Sequence, residues 1–362
     1  MAGIYIHIPF CKSRCRYCDF FSSTQLEKRT QYVQALLAEW HDRQDALTEP
    51  VQTIYLGGGT PSMLEVDDLR RLGEEAIRQV GDKIGDIEFT MEANPGDITL
   101  EKARAWREIG INRLSIGIQS FDDDLLQLIG RRHTAAEACE AVRAAQAAGF
   151  DNISIDLIYA LPGQTMEQWQ KDVQTALLLG VQHISTYGLI YEDGTALTKL
   201  LMDNRLQPVD EELEMRMYDY LVEQLCANGF EHYEVSNFAL AGRHSRHNSS
   251  YWNDTPYLGL GAGAHSYDGR CRQWNIADLD GYISQALAHQ LSPEIEHLTD
   301  EDHRTERIML GLRTNQGVAK ADINMHKVKP YIEQGLLEDK GERVAATTQG
   351  FHILNRIIEE LV

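Results

Sequence analysis

Three thiols lie close together near the start of the chain: Cys11, Cys15 and Cys18, in the run C-K-S-R-C-R-Y-C, at a C-x3-C-x2-C spacing. A structural zinc site closes its tetrahedron with four protein ligands, whereas an iron-sulfur cluster held by three cysteines leaves one iron open to an exchangeable ligand. The spacing therefore predicts a cluster with one open corner, which is where chemistry can occur. Zinc is the competing reading, because His7 lies four residues before Cys11 and could complete H-x3-C-x3-C-x2-C. A histidine in mid-strand is also commonly a satisfied packing residue.

Other groups able to bind or react recur along the chain. Gly57-Gly58-Gly59-Thr60-Pro61 has three consecutive positions without side chains, so backbone N–H and C=O groups there can approach a ligand closely. Glu92 and Asp156 are carboxylates in otherwise apolar runs. A buried carboxylate needs a partner, such as ribose hydroxyls, an ammonium, or a structural hydrogen bond or ion pair. Gln119 stands in G-I-Q-S-F and Arg131 in G-R-R-H. An arginine fork suits a ligand carboxylate, with a surface ion pair to Asp122–Asp124 as the alternative. Tyr17, inside the cysteine run, either faces the same site or simply packs.

These residues act together only if the fold collects them, and the element pattern provides for that. Tyr5-Ile6-His7-Ile8-Pro9-Phe10 reads as a strand that delivers the cysteine run at its C-terminal end. A helix follows within Thr30–Leu47, carrying Tyr32, Leu36, Leu37 and Trp40 at helical spacing. The unit then repeats, with strands predicted over 51–56, 87–92, 112–116, 153–158 and 183–187. Helices are predicted between them around Leu69–Val80, over Thr99–Ile109, from the Thr134/Glu137 capping box to Gly149, and from the Thr165 cap. Six strand-helix units imply a parallel sheet that closes only part of an eight-fold barrel, with every strand end facing one mouth. The expected fold class is thus α/β, an open, partial (β/α)6 TIM-like barrel over residues 1–230.

A helix is expected from Asp210 to Asn228, after which the texture changes. Residues 231–290 read as short strands and loops, and residues 291–362 as a smaller helical α+β unit. In that last unit Gly335-Leu336-Leu337, Val344-Ala345-Ala346 and a helix from Gly350 to Leu361 give the order of a winged helix. Such units often bind DNA, but 13 acidic against 9 basic residues from 291 onward favour a structural or docking role. The whole chain of 362 residues has a formal net charge of -21, which argues against nucleic acid as a partner. No stretch reaches the apolar length of a membrane span, and no export signal is expected before Cys11. Cys139, Cys226 and Cys271 stand singly, as free thiols in a reducing cytoplasm do.

Taken together, Y-I-H-I-P-F followed by C-x3-C-x2-C, then G-G-G-T-P, M-E-A-N-P, G-I-Q-S-F and I-D-L-I-Y-A-L-P-G-Q-T, resemble the radical S-adenosylmethionine enzymes of the oxygen-independent coproporphyrinogen oxidase group. The resemblance spans most of the chain. It implies a 4Fe-4S cluster on Cys11, Cys15 and Cys18, with S-adenosylmethionine bound at the open iron and an electron donor to the cluster. By motif position, it implies that Tyr5, Tyr17, Gly58, Gly59, Thr60, Glu92, Gln119, Arg131, Asp156 and Ile190 line the S-adenosylmethionine site.

Two departures separate this chain from coproporphyrinogen oxidases. Those enzymes resemble C-x3-C-x2-C-x-C, where Phe20 stands here, and they carry an extension before the cluster, where ten residues precede Cys11. Residues 247–252, H-N-S-S-Y-W, instead resemble the H-N-x-x-Y-W motif of the haem chaperones called HemW. That resemblance implies a carrier that binds haem and hands it to an apo-protein such as a respiratory cytochrome. His247 would offer an imidazole to the iron, and Tyr251 and Trp252 a flat apolar surface. A hydrogen-bonded core histidine is the competing reading of His247, with His244 and His265 as nearby rival ligands. Two other functions stay open at this point: radical decarboxylation of coproporphyrinogen III, and a zinc-stabilised protein whose winged C-terminus binds partners.

Overall fold

The computed structural model describes residues 2–362. Six strands carry the architecture: β1 (Ala2–Ile8), β2 (Val51–Gly58), β3 (Glu88–Ala93), β4 (Arg113–Gln119), β5 (Ile153–Tyr159) and β6 (His183–Gly188). They lie side by side in sequence order and all pair in parallel. The crossovers are α1 (Arg29–Asp42), α2 (Val66–Val80), α3 (Leu100–Ile109), α4 (Asp123–Leu128) with α5 (Ala135–Ala147), and α6 (Met166–Leu178). Their starts follow the capping chemistry read from the sequence. Thr134 and Thr165 each close a capping box, and Thr99 accepts a hydrogen bond from the Lys102 N–H.

Along each strand one set of alternate residues is aliphatic and joins the core beneath the helices. Ile4, Ile6 and Ile8 are fully buried there with Tyr32, Leu36 and Trp40, and Leu114 and Ile116 with Ala138 and Val142. The other set, including Thr53, Tyr55, Thr90, Arg113, Ser115 and Ser154, faces the inside of the barrel and is polar or aromatic.

The sheet does not close. After α7 (Ala196–Met202) and α8 (Glu211–Ala227), the hairpin β7 (Phe230–Glu234) and β8 (Asn237–Leu240) adds antiparallel to β6. A short helix α9 (Arg246–Ser250) then leads to β9 (Tyr257–Leu260), which adds in parallel to the opposite edge, on β1. Strands β10 (His265–Tyr267), β11 (Cys271–Trp274) and, after α10 (Leu279–Leu287), β12 (Glu294–His297) continue outward from β9. Residues 231–290 therefore extend both edges of the barrel sheet, giving 12 strands in one sheet, and do not form a body of their own. Open strand edges demand pairing, and this stretch meets that demand at each end.

The C-terminal unit comprises α11 (Asp300–Gly311), β13 (Val318–Ala319), α12 (Met325–Glu333), β14 (Leu337–Asp339), β15 (Arg343–Ala346), α13 (Thr348–Phe351) and α14 (Leu354–Leu361). Its strands form a separate sheet, β13-β15-β14, over a core of its own. Thr347 caps α13 by accepting from the Gly350 N–H, and the single terminal helix expected over Gly350–Leu361 is instead broken before α14, where Ile353 leaves the helical region at φ -123°. Backbone bonds from Val235 N–H to Arg313 O (2.8 Å) and from Asn315 N–H to Tyr233 O (3.0 Å) dock the unit on β7. No helix among the described residues is long and apolar enough to cross a membrane.

One buried carboxylate ties the outer strands to the barrel. Glu39 of α1 is fully buried, and its Oε2 accepts from the Gly261 N–H (2.8 Å) and Tyr282 hydroxyl (2.6 Å). Its Oε1 accepts from Asn275 (2.7 Å) and Arg43 (3.0 Å). Glu39→Ala leaves the buried Gly261 N–H and Tyr282 hydroxyl without an acceptor and removes one partner each from Asn275 and Arg43, a loss of about 3 kcal/mol. A clearly lowered urea midpoint, followed by circular dichroism, is the expected outcome.

Candidate functional site

The C-terminal ends of β1–β6 and the loops beyond them enclose a cavity of ≈ 490 Å³. The cysteine loop forms one wall. It is pinned at its base where the Cys11 N–H bonds Ser23 O (3.0 Å) and the Ser23 N–H bonds Pro9 O (2.6 Å). It is pinned at its middle where the Arg16 N–H reaches Ile129 O (2.9 Å) and the Arg16 guanidinium reaches Leu128 O (2.9 Å). Cys11, Cys15 and Cys18 all line the cavity as free thiols.

The glycine run approaches that loop backbone to backbone. The Gly59 N–H bonds Ile8 O (2.8 Å), and a Cβ at Gly59 would lie 2.8 Å from the Pro9 carbonyl carbon. At Gly58, φ is +109° and a Cβ would sit 2.5 Å from the His7 ring. Glycine is required at both positions, and its cost in chain entropy is the condition for bringing β2 against the cysteine loop. Thr60 follows, its hydroxyl 3.5 Å from Cys11 Sγ.

Two carboxylates sit on the opposite wall. Glu92 accepts from the Tyr55 hydroxyl (2.8 Å) on one oxygen and from the Gly58 N–H (3.0 Å) on the other. Burial lifts its carboxyl to about 7, with nearby Asp156 adding to the effect against the Tyr55 and Gly58 hydrogen bonds. Asp156 accepts from Ser115 (3.3 Å) and is lifted to about 6, again mainly by burial. Arg131 completes the wall. Its Nη1 donates to Cys15 Sγ (3.3 Å) and its Nη2 to Gly117 O, while its buried Nε has no partner among the described residues. Gln119 is held at φ +77° where the β4–β5 register shifts, a backbone state that non-glycine residues rarely adopt away from binding sites.

The structure thus gathers Cys11, Cys15, Cys18, Tyr17, Gly58, Gly59, Thr60, Glu92, Gln119, Arg131, Asp156 and Ile190 around one cavity. Tyr5 does not line it. Tyr5 lies inside the barrel, with its hydroxyl 3.1 Å from His7 Nδ1. His7 also bonds Phe21 O through Nε2 (3.0 Å), so both ring nitrogens are engaged and the fourth zinc ligand is not available. Among the described residues no three His, Cys, Asp or Glu side chains converge on one point as single-ion ligands do. Three thiols spread around a cavity suit a cluster whose irons occupy separate corners.

His247 lies elsewhere. Helix α9 crosses the opposite end of the barrel, where Glu88 accepts from the Arg246 N–H (2.9 Å) and the His247 N–H (3.0 Å). The imidazole is fully buried between Tyr55 and Tyr5, with Nδ1 on the Thr53 hydroxyl (2.8 Å) and Nε2 on the Tyr251 hydroxyl (2.9 Å). Burial also drives its pKa down to about 3. In this fold His247 is a hydrogen-bonded core histidine, with both ring nitrogens partnered among the described residues. His244 is half exposed and bonds Glu231 (2.7 Å), and His265 stacks on Trp274. Sequence reasoning missed Tyr55 and Ser115, the residues that hold the two carboxylates. The available signal was the alternation of polar residues along β2 and β4.

Comparison with known proteins agrees with this geometry. The model of the radical SAM superfamily matches residues 5–176, and that of the HemN C-terminal domain matches residues 298–353. A protein of Lactococcus lactis named heme chaperone HemW is 37% identical over 99% of this chain and 96% of its own length. One of Bacillus subtilis with the same name is 37% identical over 99% of this chain and 98% of its own. The solved structure of coproporphyrinogen III oxidase HemN from Escherichia coli superposes with a TM-score of 0.83, covering 99% of this chain and 89% of that one at 22% identity, which establishes a shared fold. Near full-length identity well above the level shared with that oxidase places the chain in one branch of the group: it belongs to the HemW family of the radical S-adenosylmethionine superfamily.

Proposed function

We propose that the chain is a haem chaperone, binding haem and passing it to an acceptor apo-protein, on a scaffold that also holds a 4Fe-4S cluster and S-adenosylmethionine. The observation that carries this reading is the 37% identity, end to end, to proteins named for that role. Phe20 supports it from the sequence side, since it stands where the oxidase group has a further cysteine. Radical decarboxylation of coproporphyrinogen is the weaker reading, because the likeness to HemN extends to the fold at 22% identity.

Cys11, Cys15 and Cys18 would hold the cluster, and the Arg131 guanidinium, which donates to Cys15 Sγ (3.3 Å), would help to position that thiol. Bound together, cluster and sulfonium cofactor supply one-electron chemistry. The rest of the pocket binds and orients. The unpartnered Nε of Arg131 suits the cofactor carboxylate, and Glu92 and Asp156 suit its ammonium or ribose hydroxyls. The acceptor is taken to be an apo-cytochrome or similar protein, and the setting the reducing cytoplasm.

Three outcomes are expected. Anaerobic reconstitution with iron and sulfide gives a brown protein, and Cys15→Ser loses that absorbance together with the acid-labile sulfide; stoichiometric zinc without iron uptake counts against the cluster. Affinity for S-adenosylmethionine, measured by calorimetry, rises with pH as Asp156 (about 6) and Glu92 (about 7) lose their protons, and levels off above that range. The sign follows because only the ionised carboxylates attract the cationic cofactor. Glu92→Gln removes the upper part of that rise and weakens binding about tenfold, the usual loss for a charge-assisted hydrogen bond. Finally, haem titrated onto the reconstituted protein shifts its Soret band and then moves to an added apo-cytochrome. Release of protoporphyrinogen from coproporphyrinogen III under dithionite would decide instead for the oxidase.

A further inference from the structure

The cavity at the barrel mouth changes character from floor to rim. Its deep wall is polar, with Glu92, Asp156, Gln119 and Arg131. Its outer edge carries Phe20 and Ile190, each 68% exposed, and Tyr187, 45% exposed. These are three of the 13 large hydrophobic side chains exposed among the described residues, and the fold brings them to one opening from the cysteine loop and the end of β6. Apolar side chains gathered and exposed at a cavity mouth indicate something that covers them. A sulfonium amino-acid nucleoside uses the polar depth and reaches that edge only at Ile190, leaving Phe20 and Tyr187 uncovered.

Charge narrows the choice of occupant. On a chain of net charge -21, the cavity lining holds four cationic residues (Lys12, Arg14, Arg131, Arg132) against four anionic ones. It is therefore locally neutral on an acidic protein. Lys12 and Arg14 are exposed and have no carboxylate partner among the described residues; Arg14 bonds only Ser22 (3.0 Å) and Phe20 O (3.4 Å). Apolar surface flanked by free cations fits a flat hydrophobic anion.

We infer that haem docks across the rim of the barrel mouth, one face on Phe20 and Ile190 and its propionates toward Lys12 and Arg14. The inference rests on the haem-chaperone reading and adds the place where haem sits. No histidine lines this cavity, so apolar contact and propionate charge carry the affinity, and the iron keeps a coordination position for the acceptor.

The test is haem titration of the anaerobically reconstituted full chain, followed at the Soret band. Each variant is used at wild-type iron and sulfide content. Because all four side chains are exposed, Phe20→Ser/Ile190→Ser and Lys12→Glu/Arg14→Glu leave the fold intact. Each pair weakens haem binding about tenfold or more, and the charge pair also abolishes the salt dependence. Wild-type binding with both double variants unchanged overturns the rim site and leaves the chaperone reading standing. Loss of haem binding in His247→Ala alone, with native circular dichroism, overturns it as well. Failure of the wild-type protein to bind haem at all overturns the chaperone reading itself.

Discussion

The barrel has a polar interior, and that constraint governs the rest of the molecule. In a closed eight-fold barrel the inward side chains are mostly branched aliphatics stacked in layers. Here the inward positions include Thr53, Tyr55, Thr90, Arg113, Ser115, Ser154 and His183, while the aliphatic residues of the same strands face the helices. Buried polar groups are costly unless they find partners, and most of these do, although Thr90 Oγ1 and two nitrogens of Arg113 have none among the described residues. Ser154 meets His183 Nδ1 (2.7 Å), His183 Nε2 meets the Tyr233 hydroxyl (2.8 Å), and Thr53 meets His247. The hydrophobic stabilisation comes from the outer layer, which frees the inner one to build a site.

The same requirement explains helix α9. An open barrel with a polar interior would admit water at its lower end unless something closes it and supplies hydrogen bonds. Residues 246–250 do both. Two of the helix N–H groups go to Glu88, and the His247 ring fills the space between Thr53, Tyr55 and Tyr251. Gly3 belongs to this closure, since a Cβ there would lie 3.2 Å from the His247 ring. The motif that reads in sequence as a metal ligand with flanking aromatics thus fulfils its hydrogen-bonding needs inside the protein. Sequence alone does not distinguish the two uses, because a ligand histidine and a core histidine both keep aromatic neighbours.

What was legible follows from what is local. Strand and helix succession, the capping box at Thr134, the cap at Thr165 and the three-cysteine loop depend on residues close in sequence, and each is found where it was expected. The parallel order of six strands follows from short crossovers, which leave neighbouring strands little choice. What was not legible is non-local. Nothing in residues 257–260 announces that they pair with β1, more than two hundred residues away, while residues 237–240 pair with β6 at the far edge. Those two pairings make the expected short strands into sheet edges. The apolar rim escaped notice for the same reason: Phe20 and Ile190 come from segments remote in sequence and meet only at the mouth.

A carrier differs from an enzyme in what its site must do last, which is let the ligand go. A haem held in a closed pocket by a buried imidazole would leave only by breaking a coordinate bond and opening the fold, both slow steps. A haem resting on exposed side chains at an open rim is held by area and charge, and an acceptor can compete for both directly. The floor of this barrel is closed by α9, whose His247 bonds Thr53 and Tyr251, and its mouth is open with apolar residues at the edge. Phe20, exposed on the three-cysteine loop, would on the proposed reading be contact surface at a position where the oxidase group carries a further cysteine. On that reading, the scaffold would keep the redox group and the cargo at the same end of the barrel.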